Sequence, residues 1–116
     1  MNGSQTIDYV IPIISQMFIG PLMLAISIVF WKFPPKTINK IYGYRTKKSM
    51  LNQENWDFAN KEFAKLFMLG NVFTIITQIA TTLIYDHLTG IACGIFCLLT
   101  MFLVSFLRVE SELKKW

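Results

Sequence analysis

Arg45 is the side chain in this 116-residue chain whose type and setting best suit chemistry with an anion. It stands in the run Tyr42-Gly43-Tyr44-Arg45-Thr46. A guanidinium beside tyrosines can hold a phosphate or carboxylate through two parallel hydrogen bonds while stacking on an aromatic face. An anionic headgroup, a peptide C-terminus or a protein partner would fit it. The competing reading is an arginine that ties its own loop together, through backbone carbonyls or through Glu54, Asp57 or Glu62. Asn39, Asn52 and Asn60 flank the run as further candidate binding residues, and asparagines serve equally well there as helix caps and turn bonds. Trp56 reads as an interfacial or packing anchor.

A second polar set lies farther along. Asn71, Thr74, Gln78, Thr81 and Tyr85 are spaced 3, 4, 3 and 4 apart, which puts them on one face of a helix. That face would point into a bundle, either as interhelical hydrogen-bond glue, worth about 0.6 kcal/mol per contact, or as the lining of a ligand or ion path. No ionisable group shares the stripe, which weighs toward glue. Cys93 and Cys97 are four apart but have no histidine or carboxylate at hand to complete a metal site, and Cys in a lipid span behaves as a small hydrophobe. His87 stands alone beside Asp86 as an exposed turn residue. Without a carboxylate pair, a histidine-based nucleophile or a metal-ligand cluster, the expectation is a protein that is not an enzyme and takes no metal or cofactor.

Composition says what must position these residues. The chain is 53% hydrophobic and 16% charged, too apolar for a soluble domain, where charged residues are usually about 25%. Its net charge of +4 falls beside apolar runs, so the expected partner is a lipid bilayer and not nucleic acid. The N-terminal stretch MNGSQTIDYV has no basic residue ahead of its apolar part and no small-residue cleavage signature after it, so the first apolar run is expected to stay in the mature protein.

Three apolar runs, at about 9–33, 66–85 and 88–107, are each long enough to cross a ~30 Å hydrocarbon core at ~1.5 Å per residue. Pro12 and Pro21 interrupt the first, where Gln16, Gly20, Met23 and Ser27 recur as a weakly polar face and Trp31, Lys32 and Phe33 make an interfacial anchor. Asp86, His87, Leu88 and Thr89 form the turn between the second and third runs, which must therefore pair antiparallel. In the third, Gly90 and Gly94, continued by Cys97 and Met101, mark the face that packs closely. The tail RVESELKKW continues that helix past the headgroups, with Trp116 as an interfacial contact.

Charge orders the topology. Lys32, Lys36, Lys40, Arg45, Lys47, Lys48, Lys61 and Lys65 lie in or beside the segment between the first two spans, and Arg108, Lys114 and Lys115 follow the third. With three spans, all eleven basic residues share one side. The positive-inside rule then places the central segment and C-terminus in the cytoplasm, and the N-terminus and the Asp86 turn outside the cell membrane.

The central segment, 34–65, is expected to hold an amphipathic helix that starts at Pro34 and Pro35 and stops at Gly43, with Ile38, Ile41 and Tyr42 on the bilayer and Lys36 and Lys40 toward water. Tyr44-Arg45-Thr46 follows as a turn or extended link. Ser49 or Asn52 then caps a helix in which Trp56, Ala59, Phe63, Leu66 and Phe67 form an apolar face and Asp57 and Lys61 an i, i+4 pair; this helix runs straight into the second span. The fold class is an all-α membrane protein, one domain over 1–116, with three transmembrane helices and an amphipathic cytoplasmic helical segment between the first and second.

The set Pro34-Pro35-Lys36, Asn39, Tyr42-Gly43-Tyr44-Arg45-Thr46, Ser49-Met50, Asn52, Trp56 and Ala59-Asn60, followed by two spans, resembles the SdpI family of bacterial membrane proteins over roughly Phe30 to Phe106. That family is named for an immunity protein that protects a producing cell from its own secreted antimicrobial peptide toxin. The protein that gives it its name is longer, with further spans, and this chain is little more than the shared module. The resemblance implies resistance or immunity to a membrane-active peptide toxin, bound in the bilayer or kept from its target through the polar face of the second span, with room for signalling to a cytoplasmic protein partner. Two other readings stay open. One is a membrane enzyme or transporter for a lipid or small solute, with Arg45 and Lys47 clamping a phosphate. The other is an assembly subunit or homo-oligomer.

Overall fold

The computed structural model describes residues 2–113, all-helical apart from its connections: α1 (Gly3–Met17), α2 (Gly20–Lys32), α3 (Gln53–Ile84) and α4 (His87–Glu112). Three helical rods, α1 with α2, α3 and α4, are long and apolar enough to span a bilayer. They pack into a slender body of 60 × 23 × 19 Å.

Of the two prolines expected to interrupt the run at 9–33, Pro21 stands at a break and Pro12 does not. The span begins at Gly3, Pro12 leaves α1 continuous, and the chain breaks at Phe18 and Ile19, just ahead of Pro21. Pro21 explains the position: its ring excludes the carbonyl four residues back and it has no N–H to give. The groups freed by the break are taken up from α3. Gln78 Nε2 donates to the Gln16 carbonyl at 3.0 Å, and Gln78 Oε1 accepts from the Gly20 N–H at 3.0 Å. One amide thus closes both sides of the break, in the manner by which membrane helices tolerate proline.

Asn52 caps α3, accepting from Asn55 N at 2.8 Å, and the helix then runs without interruption for 32 residues. At ~1.5 Å per residue it exceeds a ~30 Å core. Its first part, with Glu54, Asp57, Lys61, Glu62 and Lys65, therefore projects beyond the hydrocarbon, and from Leu66 on it carries no charge. The expected Asp57–Lys61 ion pair does not form: Asp57 instead accepts from Gln53 Nε2 at 2.7 Å, and the ion pair among the described residues is Arg108–Glu112.

The four-residue turn expected at Asp86–Thr89 is also corrected. Tyr85 ends α3 and Asp86 already caps α4, accepting from Thr89 N at 2.7 Å, so the reversal takes two residues. The side chain and backbone of Thr89 hold the Asp86 carboxyl below the ordinary carboxylate range. His87 is accordingly the first residue of a helix and is half-buried, with Nδ1 3.0 Å from Gln16 Nε2. α4 continues past Leu107 to Glu112, as the tail predicts; Lys114, Lys115 and Trp116 lie outside the described residues.

α3 is the centre of the bundle. α4 packs along it in antiparallel register, with Gly94 against Gln78, Cys97 at Thr74 and Met101 against Gly70. The small-residue face of the third span is thus its packing face. A Cβ on Gly94 would stand 2.7 Å from Gln78 Cγ, so only glycine lets α4 come this near. α2 packs on another side of α3 and α1 reaches α4, while α2 and α4 barely touch. The bundle is therefore closed toward Asp86 and splayed toward the other end.

Between Phe33 and Asn52 the chain forms bends and a turn, and the amphipathic helix expected from Pro34 to Gly43 is absent. Asn39 accounts for this. Its Oδ1 accepts from the Ile41 and Tyr42 N–H groups at 2.9 and 2.7 Å, and its Nδ2 donates to the Thr37 carbonyl at 3.0 Å. A side chain that captures local backbone in this way competes directly with a helix.

Candidate functional site

The motif residues build one unit at the splayed end. Asn60, buried on α3, accepts from Tyr44 N at 2.5 Å and donates to the Trp56 carbonyl at 2.9 Å. Trp56 is wholly buried, and its Nε1 donates to the Pro35 carbonyl at 2.8 Å. Tyr42 stacks on Phe30, ring centroids 4.8 Å apart, and its hydroxyl donates to the Phe33 carbonyl at 2.8 Å. Ser49, expected as a possible cap, instead braces the loop by donating to the Tyr44 carbonyl at 2.9 Å and accepting from Thr46 N at 2.8 Å. Gly43 adopts φ 111°, where a side chain would also run into Asn60 and Pro35.

The far side of the loop is fastened to α4 by a residue that the sequence did not single out. Glu110 Oε1 accepts from Tyr44 OH at 2.7 Å and from Thr46 Oγ1 at 2.5 Å, and its carbonyl accepts from Lys48 Nζ at 3.2 Å. Burial, followed by the neighbouring Glu110 carboxylate, pushes the Tyr44 hydroxyl well above its ordinary pKa, so it stays a donor. Glu110 lies 64 residues from Thr46 in a charged stretch, and nothing in local spacing separates it from a solvated carboxylate.

Arg45 is exposed on this loop, and its Nη1 donates to the Lys40 carbonyl. That contact fits the loop-tying reading by way of a backbone carbonyl; no ion pair joins Arg45 to Glu54, Asp57 or Glu62. A guanidinium carries five N–H donors, so one bond leaves others facing outward.

Beneath the loop, the splay of α2 from α4 opens a cleft of about 370 Å³. Phe30 comes from α2, Phe63, Ala64 and Phe67 from α3, and Phe102 and Phe106 from α4, with Arg45 and Thr46 among the polar residues at its edge. Phe63, Phe67 and Phe102 pack on one another with centroids 5.5 to 5.6 Å apart.

The polar stripe of α3 is divided. Asn71, Thr74 and Gln78 are buried, Thr81 is half-buried and bonded to the Thr77 carbonyl at 2.7 Å, and Tyr85 is exposed. Asn71 Nδ2 donates to Ser27 Oγ at 3.3 Å, while its buried Oδ1 has no donor among the described residues. The weakly polar face of the first span is what this stripe meets, through Gln16, Gly20 and Ser27. Thr82, one turn beyond Gln78, belongs to the same contact through its hydroxyl, 3.1 Å from Gln16 Oε1, although it lies off the stripe read from the sequence. These bonds are the glue. Cys93 and Cys97 are free thiols, and no group of metal-ligating residues assembles among the described residues.

Residues 36–107 match the SdpI/YfhL protein family. A protein of Bacillus subtilis (strain 168), named Uncharacterized protein YfhL, is 45% identical over 53 residues, covering 46% of this chain and 48% of that protein. The similarity thus spans about half the length of the curated relative. No solved structure matches the chain.

Proposed function

The chain belongs to the SdpI/YfhL family, and from that premise we propose that this multi-pass membrane protein confers resistance to a membrane-active antimicrobial peptide, acting by binding and not by catalysis. The observation that supports this reading is the use to which the motif is put. Asn39, Tyr42, Tyr44, Thr46, Trp56 and Asn60 direct their polar atoms to backbone groups and to Glu110, shaping one rigid surface at the bilayer boundary. Much of the polar face of α3 is bonded to its neighbours, and the role is assigned to the motif end. In this reading that end and the C-terminus are cytoplasmic and the N-terminus is outside. The basic loop is then also the surface that a cytoplasmic protein partner would meet.

Cells lacking the gene are expected to lose survival against at least one secreted membrane-active peptide, and to regain it with the intact chain. Unchanged survival across a broad panel overturns the proposal. Topology is read separately: with Cys93 and Cys97 replaced by serine, an impermeant thiol reagent added to whole cells should label a cysteine at Asp8 and not one at Thr37.

A further inference from the structure

We propose that the phenylalanine-lined cleft between α2 and α4 is a site for an anionic phospholipid, with an acyl chain among the rings and the phosphate on Arg45. This inference goes beyond the resistance reading and does not rest on it.

Three observations carry it. The first is level. α2 ends at Lys32, the charges of α3 stop at Lys65, and those of α4 begin at Arg108. The cleft residues Phe30, Phe63, Phe67, Phe102 and Phe106 sit at that same transition, which is where the headgroup of a lipid gives way to its chains. The second is chemistry. A space of about 370 Å³ would take roughly a dozen waters at ~30 Å³ each, but a water needs two to four polar partners and the lining is mostly apolar. A hydrocarbon chain needs none, and the bilayer supplies it at the open side. The third is charge. Arg45 lines the cleft with donors left over from its single bond to Lys40, and a guanidinium matches a phosphate bidentately. Thr46 stands beside it, with its hydroxyl hydrogen committed to Glu110. The loop therefore presents a cation at the rim of an apolar slot, the complement of a lipid with a negative head.

The test places the full chain in vesicles of phosphatidylcholine containing chain-spin-labelled phosphatidylglycerol or phosphatidylcholine, and reads the motionally restricted fraction by electron paramagnetic resonance. Phosphatidylglycerol is expected to associate at least about fivefold more strongly, since one basic residue at a membrane surface is worth that and others accompany Arg45. Arg45→Gln should lower the ratio about fivefold on the same ground, while Arg108→Gln, outside the lining of the cleft, should lower it less. Ile26→Trp, at an exposed position lining the cleft, should leave the restricted shell common to both lipids and remove the part of the phosphatidylglycerol preference that Arg45 supplies. Ala64→Phe fills the cleft from its floor and serves if the first variant does not fold. Equal association of the two lipids with the unaltered chain overturns the proposal. So does an effect of Arg108→Gln equal to that of Arg45→Gln. An unchanged phosphatidylglycerol preference in both filling variants, with binding of a free-carboxylate peptide lost instead, assigns the cleft to a peptide and likewise overturns it.

Discussion

From Asp86 to the middle of the bundle, polar side chains are packed between helices and bonded to one another, and the helices touch. At the motif end the helices part, polar side chains hold a loop in place above them, and the space between is lined with phenylalanine. Gln78, Gln16 and Gly20 exemplify the first region; Asn60, Tyr44 and Glu110 the second. Polarity inside the spans closes the structure, and polarity outside them keeps an apolar opening in shape. A polar stripe in a membrane helix is thus a weak guide to where a ligand goes, because its bonds are made within the protein.

Four changes would break or sharpen that contrast. Trp56→Ala should have the largest effect, removing a wholly buried ring that supports the loop from below; about 3 to 5 kcal/mol is expected for such a truncation, read as denaturant unfolding in detergent. Loss of the loop with the spans intact would show the two regions to be separable. Gln78→Leu keeps volume but leaves the Gly20 N–H without its partner and the Gln16 carbonyl with only the Ile19 N–H, a cost of about 1 to 3 kcal/mol. Its effect should fall on stability and leave peptide resistance in place, and abolished resistance in a folded variant would reverse the roles assigned to the two regions.

The third concerns Tyr44. Its folded-state pKa is raised above the ordinary value of 10.0, so the stability it contributes is complete below that pH and is lost as pH rises beyond it. Tyr44→Phe should cost about 1 kcal/mol and abolish this alkaline decline, both followed by thermal unfolding against pH. The smallest effect is expected at Asp86. Its folded-state pKa is lowered, so its capping contribution is present above the ordinary carboxylate value of 3.8 and fades as pH falls through the lowered one. Amide exchange in the first turn of α4 should report it, and Asp86→Asn should remove the pH dependence.

Much of the first region was legible. Spacings of three and four placed Asn71, Thr74 and Gln78 on one face and Gly90, Gly94, Cys97 and Met101 on another, and those faces do meet neighbours. Helical periodicity reports packing within a span because lipid leaves few other uses for a polar or small residue. The second region was legible in composition and not in geometry. Prolines, lysines and isoleucines at 34–43 fit a surface helix, yet Asn39 bonding to its own neighbours outweighs that pattern. Glu110 could not be paired with Tyr44 and Thr46 from spacing, since the contact depends on how far α3 and α4 project together beyond the bilayer. The cleft is a property of a sparse contact, between α2 and α4, for which a sequence carries no periodic mark.

The amide of Gln78 has a consequence for how the molecule is made. Until α3 is in place, the break at Phe18 and Ile19 leaves the Gly20 N–H bare in hydrocarbon, where an unsatisfied group costs several kcal/mol, and the Gln16 carbonyl with only the Ile19 N–H. The α1–α2 segment by itself is therefore not a finished membrane helix: its break is completed by a residue about sixty positions farther along the chain. Settling of the α1–α2 span should thus depend on the arrival of α3, and a chain truncated before Gln78 should sit in the membrane differently from the same residues in the whole chain.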